Sequence, residues 1–313
     1  MTLMPSDSGT VVVLGTGGTI AGTAASSASH TGYRAGSLTA ADLLAAVPAL
    51  QGRAIETESV AQLDSCDMDD ATWARLAERV RAQLARPEVR GVVVTHGTDT
   101  LEESAYFLHR TVVATKPVVL TAAMRPATAL SADGPQNLFD AVVLAREPGA
   151  QGVLVAFGGR VFGAVDLRKV HGYRVDAFDG GDAGALAQFE DGALRRFRPW
   201  PEGGGDAAAL LARPSADWPR VEIVFSHAGA SGALLDAAAA QGARGIVIAG
   251  TGNGTVHAHV LAAARRAVAQ GVVVWRTSRC LLGGVVPGAD DALPSAGPLT
   301  PMQARVALML QLA

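Results

Sequence analysis

Cysteine, basic charge and long apolar runs are all scarce in this chain of 313 residues. Its two cysteines, Cys66 and Cys280, form no metal-binding or redox motif, and we expect two reduced thiols. The formal net charge of −3 provides no basic field that would attract nucleic acid. No apolar run approaches the length that spans a bilayer, and residues 1–10 lack the basic start of a signal peptide. We therefore expect a cytoplasmic protein that binds neither nucleic acid nor membrane.

What is abundant is a regular alternation of apolar runs and helical patterns. Hydrophobic residues make up 49% of the chain and charged residues 18%, which excludes a disordered protein. Near-continuous Val and Leu strands between amphipathic helices are typical of a parallel sheet with both faces buried. The predicted strands are 11–15, 91–96, 116–121, 152–157, 220–227, 242–250 and 271–278. The predicted helices are 39–47, 69–85, 99–110, 135–148, 255–269 and one from about 301.

The rhythm is interrupted once, by a segment rich in proline and glycine at 198–219, which we interpret as a linker. The fold class is therefore α/β with two α/β domains. The larger N-terminal domain (1–197) has a mostly parallel sheet flanked by helices, and the smaller C-terminal domain (220–313) has a parallel sheet of its own. Three N-terminal strands run directly into polar loops, "GTGGT", "THGTDT" and "AAMRP". Because ligands gather at the carboxyl ends of parallel strands, we expect the site there.

The first of these loops does not fit phosphate binding. A dinucleotide fingerprint needs a third glycine where Ile20 stands, and a P-loop needs a lysine followed by serine or threonine, which is missing. Chemistry at a hydroxyl fits better, since Gly17 and Gly18 remove side chains beside Thr19 and let a substrate approach its oxygen and nearby backbone N–H groups. A threonine hydroxyl is a weak nucleophile and needs a base or a proton relay.

The second loop offers Thr98 beside Asp99 at the start of a helix. Two interpretations stay open. The pair could take part in proton transfer, or Asp99 could cap the helix with Glu102 three residues later, as Thr39 is expected to cap the first helix. Taken alone, this motif favours capping.

Considered together, "TGGTIAG", "THGTDTLEES" and "AMRP…SADGP" resemble the bacterial L-asparaginase/glutaminase family. The resemblance continues through "AGTGNG", "TSR" and "LTPMQAR", so it covers nearly the whole chain. It implies an amidohydrolase that needs no cofactor and no metal and converts L-asparagine to L-aspartate and ammonia. The threonine matching Thr19 attacks the side-chain amide and forms an acyl-enzyme, and the matching Tyr33 relays its proton. A buried loop anchor is the competing interpretation of Tyr33.

The resemblance also implies a second group, in which Thr98, Lys169 and Asp99 form a proton-transfer network. From sequence alone Lys169 would be a surface charge, because it stands beside Arg168 and near Arg174. The implied substrate-binding residues are Ser65, Thr98, Asp99, Ala123 and Asn253, the last reaching a neighbouring subunit's site within a homotetramer built as a dimer of dimers. The loop 20–36 is expected to close over the substrate as a lid, with Tyr33 facing inward.

Two departures from the family pattern are visible. Cys66 follows Ser65 where the family often has glutamine, and Gly288 stands near the place of a family glutamate that Asp290 or Asp291 could replace. Two alternatives remain for the function. A glutaminase-asparaginase would need a larger pocket, and a catalytically silent amino-acid-binding protein would have no need of Thr19, Thr98 and Lys169 together. A subunit for tRNA-dependent amide transfer would need an appended domain or a basic surface, which the sequence lacks.

Overall fold

The Val-rich runs of the first half of the chain form the centre of an eight-stranded sheet. The computed structural model describes residues 9–202, 204–205, 207–288 and 292–313. It divides into two units, Met1–Asp206 and Ala207–Ala313. The strands of the first unit are β1 (Thr10–Gly17), β2 (Ile55–Leu63), β3 (Val89–Thr95), β4 (Val118–Thr121), β5 (Val153–Phe157), β6 (Arg160–Gly163), β7 (Arg168–Lys169), β8 (Phe178–Asp179), β9 (Ala187–Glu190) and β10 (Ala193–Arg196).

The order of the large sheet is β10-β9-β6-β5-β4-β3-β1-β2. Strands β2, β1, β3, β4 and β5 are parallel to one another, and β6, β9 and β10 extend the sheet in antiparallel fashion. The chain leaves β1 toward β2 on one side and continues from β3 toward β4 on the other. This reversal makes the gap between β1 and β3 a topological switch point, where open α/β sheets bind their ligands.

Helices cover both faces of this sheet, as its two-sided burial requires. One face, which includes Val11, Val13 and Val93, packs against Leu43 of the first helix and Leu138 of the fourth. The alternate side chains of β1 and β3 are also buried, so these strands have no solvent face. The helices of this unit are α1 (Ala40–Ala45), α2 (Asp70–Leu84), α3 (Leu101–Thr111) and α4 (Gly134–Ala145).

The second unit is a three-stranded parallel sheet in the order β11-β12-β13, with its own apolar core around Ile246, Ile248 and Leu235. Its elements are α5 (Ala208–Leu211), β11 (Val221–Phe225), α6 (Ala233–Ala240), β12 (Gly245–Gly250), α7 (Ala258–Ala269), β13 (Val273–Ser278) and α8 (Pro301–Gln311). The two-sheet α/β architecture is therefore confirmed.

Each predicted strand is present, with ends that differ by a few residues, and each predicted helix is present too. The prediction omitted β2, the antiparallel strands and α6. In the segment interpreted as a linker, Trp200 packs into the core of the first unit and Ala208–Leu211 is a short helix. The domain limits of 197 and 220 stay predictions. No helix in the part of the chain that the structure describes has both the length and the apolarity needed to cross a bilayer.

The two predicted helix caps have opposite outcomes. Thr39 caps α1, since its hydroxyl accepts from the amide of Asp42 and its own amide donates to the Asp42 carboxylate at 2.8 Å. The cap predicted for α3 is wrong. That helix begins at Leu101 with Thr100 at its N-cap and no side-chain capping bond. The side chains of Asp99 and Glu102 have other partners.

Candidate active site

The carboxyl ends of β1 and β3 place the two threonine loops side by side. The strands are direct neighbours, with Gly15 opposite Thr95. After β1 the chain passes through Gly18 into a single 3-10 turn, Thr19–Ala21. After β3 it continues through residues 96–100 into α3. The loops "GTGGT" and "THGTDT" therefore meet at the switch point, where the sequence predicted the site.

Two glycines allow this contact. Gly18 has a φ of +79°, and a Cβ built there would lie within 3.0 Å of the Cα and amide nitrogen of Gly97. A Cβ on Gly97 would in turn lie within 3.0 Å of the Ser65 side chain. The loops that carry Thr19 and Thr98 thus touch through backbone atoms, and the Ser65 side chain lies directly against Gly97.

Thr19 is buried at the start of its turn and pairs with the predicted relay residue. Its Oγ1 lies 2.6 Å from the Tyr33 hydroxyl, and either oxygen can be the donor. Burial raises the pKa of Tyr33 above its ordinary value, although the hydrogen bond to Thr19 acts in the opposite direction, and the carboxylates of Asp64 and Asp99 raise it further. Tyr33 is therefore a neutral phenol at neutral pH, able to accept a proton from Thr19 only while passing its own proton on.

The segment predicted as a lid, 20–36, lies against neighbouring loops of the first unit. Its two arms pair at Thr23 and Arg34, and the Tyr33 ring lies against the backbone of Gly22. Backbone hydrogen bonds join the segment to residues 127–130. At its tip, Nδ1 of His30 is 2.9 Å from the Tyr173 hydroxyl. Tyr33 faces inward as predicted, while closure of the segment over a substrate stays a prediction.

Lys169 belongs to β7, and its side chain points to the second threonine. Its Nζ donates to Thr98 Oγ1 at 2.9 Å and to Asp99 Oδ1 at 2.6 Å, and the side chain is 17% exposed. The surface-charge interpretation of Lys169 is therefore wrong, because Asp99 and Thr98 supply partners from 70 and 71 residues earlier in the chain. The network expected from the resemblance is formed in space, and its catalytic role remains a proposal.

These contacts also explain why the capping prediction failed. The Asp99 carboxylate pairs with the ammonium of Lys169 instead of turning back to the helix. Glu102, in the first turn of α3, accepts from the backbone N–H of Lys169 through Oε2 at 2.9 Å. Both carboxylates are used by a partner distant in sequence, which local capping rules do not consider.

Ser65 is held beside Asp99 by two hydrogen bonds. The amide of Asp99 donates to Ser65 Oγ at 3.1 Å, and the Thr100 hydroxyl donates to the Ser65 carbonyl at 2.8 Å. The next residue, Cys66, is exposed and unpaired, as is Cys280. Desolvation, followed by the neighbouring carboxylates, raises the pKa of the Cys66 thiol. A raised pKa reduces the thiolate fraction, so Cys66 is not suited to nucleophilic chemistry.

Ala123 is fully buried just after β4, the strand that neighbours β3. The loop that follows it is fixed by a residue that the sequence analysis did not single out. Asp133 accepts from the amides of Met124 and Arg125 at 2.9 and 3.0 Å. Its partial burial raises its pKa, while those amide bonds and the Arg125 charge act to lower it. Ala123 thus sits on the same edge of the sheet as the two threonine loops.

Asn253 lies in the second unit, in a turn after β12 closed by the bridge between Thr251 and Thr255. Its side-chain amide makes a two-way pair with the backbone of Val286, donating to the carbonyl at 2.9 Å and accepting from the amide at 2.8 Å. Both groups of the side-chain amide are thus occupied by a partner that lies 33 residues away in sequence, outside the turn. Gly288 follows Val286 by two residues in the chain. Asp290 and Asp291, the suggested replacements for the family glutamate, lie outside the described residues.

A buried polar chain that was not predicted from the sequence lies beneath the second threonine loop. His96 is fully buried, and its Nδ1 is 2.7 Å from the Gly97 carbonyl, which can only accept. Nδ1 therefore carries the proton, and Nε2 accepts from the Ser104 hydroxyl at 2.9 Å. Ser104 in turn accepts from Trp73 Nε1 at 2.8 Å. Burial lowers the pKa of His96 to about 4, so the imidazole is neutral. A histidine that ends an otherwise apolar strand was the available signal.

Within the described residues, no three His, Cys, Asp or Glu side chains are grouped as at a metal site. The geometry provides two hydroxyls in adjoining loops, each with its own proton partner. Thr19 is paired with a neutral phenol, and Thr98 with an ammonium that a carboxylate also holds. Such an arrangement can form and hydrolyse a covalent ester, which requires a nucleophile and proton transfer at neutral pH.

Comparison with known proteins gives one family match in each of the two units of the chain. Residues 10–201 match the family model "Asparaginase, N-terminal", and residues 220–313 match "Glutaminase/Asparaginase C-terminal domain". The chain is 38% identical over 306 residues to "L-asparaginase 2" of Bacillus subtilis (strain 168), covering 96% of this chain and 81% of that protein. It is 40% identical over 311 residues to "Probable L-asparaginase periplasmic" of Haemophilus influenzae, covering 96% and 88%.

Two further similarities bear on specificity and fold. "Glutaminase-asparaginase" of Pseudomonas fluorescens biotype A is 35% identical over 311 residues, which cover 96% of this chain and 86% of that protein. A crystal structure titled "Probable Cytoplasmic L-asparaginase from Campylobacter jejuni" superposes with a TM-score of 0.91 at 38% identity, covering 97% of this chain and 95% of that one.

Proposed function

Since this chain belongs to the asparaginase family, we propose that it hydrolyses L-asparagine to L-aspartate and ammonia through a covalent threonine ester. One observation supports this mechanism above all: two threonine hydroxyls meet at the switch point, and each is hydrogen-bonded to a group that can transfer protons. Thr19 is bonded to Tyr33, and Thr98 is bonded to Lys169. A hydroxyl that is to react at neutral pH needs such a partner.

In the proposed first half-reaction, Thr19 Oγ1 attacks the side-chain amide carbon of the substrate. Its proton passes through the Tyr33 hydroxyl, which lies 2.6 Å away. Backbone N–H groups of the glycine-rich loop stabilise the oxyanion of the tetrahedral intermediate. The C–N bond then breaks, ammonia leaves with the transferred proton, and an aspartyl ester of Thr19 remains.

In the second half-reaction, water attacks the ester carbonyl and the C–O bond to Thr19 breaks. Thr98 orients that water, and Lys169 and Asp99 take part in moving its proton back to Thr19 Oγ1. The products are L-aspartate and the free threonine. The three groups interact closely, so the proton belongs to the network and not to one assigned residue.

Substrate recognition is proposed to rest on charge complementarity. Asp99 meets the α-ammonium, and Ser65, held next to it by the 3.1 Å bond to the Asp99 amide, meets the α-carboxylate. Ala123 contributes from the neighbouring strand end. A silent binding protein would need these three residues but not the bond between Lys169 and Thr98, so the enzyme is the better-supported alternative. Activity with L-glutamine is the second candidate, because one of the relatives is named a glutaminase-asparaginase.

The assembly and location are proposals that rest on the resemblance. We propose a homotetramer in which Asn253 reaches the site of a neighbouring subunit. Because its amide already pairs with the Val286 backbone, that role requires the pair to open or Asn253 to bind through a remaining lone pair. The cytoplasm is the proposed location, supported by the structure titled as a cytoplasmic L-asparaginase, whereas another relative is named periplasmic.

Ammonia release from L-asparagine, L-glutamine and D-asparagine, each over a range of concentrations, tests the proposed function. We expect saturable turnover of L-asparagine. Thr19→Ala should abolish it without unfolding the protein, and acid-quenched wild-type enzyme should carry an aspartyl adduct on the peptide that contains Thr19. Thr23→Ala, in the same loop, is the matched control and should keep wild-type turnover. Near-normal turnover by Thr19→Ala would contradict the assignment of the nucleophile.

A further inference from the structure

Lys169 is held at both ends by one short stretch of chain. Its ammonium donates to Thr98 and Asp99, and its backbone N–H donates to Glu102 at 2.9 Å. The acceptors span only the loop 98–100 and the first turn of α3, so they move as one piece. Residues 98–102 thus hydrogen-bond both to the main chain of Lys169 and to the end of its side chain.

The hydrogen bond to the main chain of Lys169 matters because this residue lies in a very short strand. β7 is two residues long and pairs only with β8, in a small sheet apart from the eight-stranded one. The hydrogen bond from Lys169 N to Glu102 Oε2 ties this small sheet directly to α3. It therefore fixes the position of the Lys169 Cα, and with it the distance that the side chain must span to bring Nζ to Thr98.

Glu102 is suited to this contact whether or not it is ionised. Only 9% of the residue is exposed, and burial raises its pKa to about 7, against the lowering effects of the Lys169 amide bond and the nearby positive charges of Arg168 and Lys169. A carboxyl oxygen accepts an N–H in either form, so the bond requires an acceptor at this position and not a charge. Glutamine meets that requirement, and leucine, of similar size, does not.

We infer that Glu102 is a positioning residue that keeps the Lys169 ammonium within hydrogen-bond distance of Thr98. Without its acceptor, the backbone N–H of Lys169 has lost its partner and the small sheet can move away from α3. The ammonium then keeps its ion pair with Asp99, which is the stronger interaction, and its hydrogen bond to Thr98 breaks. This inference rests on the proposed role of Lys169 in proton transfer, and it predicts a defect in turnover rather than in substrate binding.

The test compares Glu102→Leu with Glu102→Gln, using kcat and KM for L-asparagine and the thermal midpoint of unfolding. We expect Glu102→Leu to lower kcat by about tenfold or more, with KM changed by less than about threefold. Glu102→Gln should keep kcat within about threefold of wild type. Asp140→Leu is the matched control, since Asp140 is also a buried carboxyl bonded to Gln136. It should lower the thermal midpoint and leave kcat unchanged.

A double-mutant cycle separates positioning from general damage. In the background of Lys169→Met, Glu102→Leu should cause no further loss of kcat, because its effect passes through the lysine. Equal losses in both backgrounds would overturn the inference, as would a wild-type kcat in folded Glu102→Leu. If the leucine variant does not fold, Glu102→Ala leaves space for water at the Lys169 amide and serves in the same cycle.

A crystal structure of the leucine or alanine variant tests the geometry independently of turnover. We expect the distance from Lys169 Nζ to Thr98 Oγ1 to exceed hydrogen-bond distance while the contact with Asp99 persists. A distance still near 2.9 Å would refute the inference. A wild-type protein that releases no ammonia from L-asparagine contradicts the proposed function alone, and the crystallographic result then decides the positioning role of Glu102.

Discussion

Replacing Gly18 by alanine should separate the two threonine loops while leaving all their functional groups in place. The new Cβ would lie 2.8 Å from the His96 carbonyl carbon and closer still to Gly97, where ordinary contact begins at 3.4 Å. Both obstacles are backbone atoms, so no side chain can rotate away. The loops must part by about 1 Å, and a displacement of that size in a catalytic group costs on the order of 100-fold in rate.

Stability should fall as well, for two separable reasons. At Gly18 the φ of +79° and ψ of −173° lie in a region that essentially only glycine adopts, so alanine there costs about 1–3 kcal/mol. Forcing an extra methyl group between packed backbones costs about 1–3 kcal/mol more. Gly52→Ala is the control for alanine at a positive φ without crowding, because Gly52 has a φ of +75° with nothing within 4 Å of the added Cβ. It should destabilise the protein modestly and leave kcat/KM unchanged.

The assay is kcat/KM for ammonia release from L-asparagine, alongside urea unfolding of the wild type and the two variants. We expect Gly18→Ala to lose about 100-fold in kcat/KM and about 2–6 kcal/mol in the free energy of unfolding. A folded Gly18→Ala enzyme with turnover within about threefold of wild type would refute the argument that loop contact sets the geometry of the site.

Three further predictions concern the lysine, the lid and the assembly. Lys169→Met should lower kcat far more than it changes KM, and an unchanged kcat would remove Lys169 from the mechanism. Limited proteolysis within 20–36 should slow when aspartate is bound, and equal cleavage with and without aspartate would argue against ligand-driven closure. Co-expressed Thr19→Ala and Asn253→Leu subunits, each first confirmed inactive alone, should regain activity in purified mixed oligomers. Continued inactivity there would contradict a shared site.

Most of the fold could be predicted because its central strands are uniformly apolar. The omitted β2 reads "IETESVAQL", an edge strand whose charged residues pair with helix α2 and the turn after it, as Glu58 does with Arg79. The omitted antiparallel strands are short and partly exposed, but their turns carried a signal. Gly158–Gly159 and Asp191–Gly192 both have positive φ at both positions, as two-residue hairpin turns of type I′ require.

The site could be predicted only in part, because its contacts are of two kinds. The glycines around Thr19 are a local pattern after a strand, and the sequence displays them directly. The pairing of Lys169 with Asp99 joins positions 70 residues apart, and nothing local to either residue indicates it. The same distant partner misled the capping prediction. Glu102 has the spacing of a capping box, yet its carboxyl is bonded to the Lys169 amide.

The wide spacing of Thr98 and Lys169 has a consequence for the protein during synthesis. A growing chain that has released Thr19, Ser65 and Thr98 from the ribosome still lacks Lys169, which follows Thr98 by 71 residues. At about 5–20 residues per second, that interval lasts roughly 4–14 s. The half-made chain therefore carries Thr19 and Thr98 without Lys169, the residue that bonds to both Thr98 and Asp99. The contacts that join Thr98, Asp99 and Glu102 to Lys169 form only once the small sheet bearing Lys169 has docked on α3.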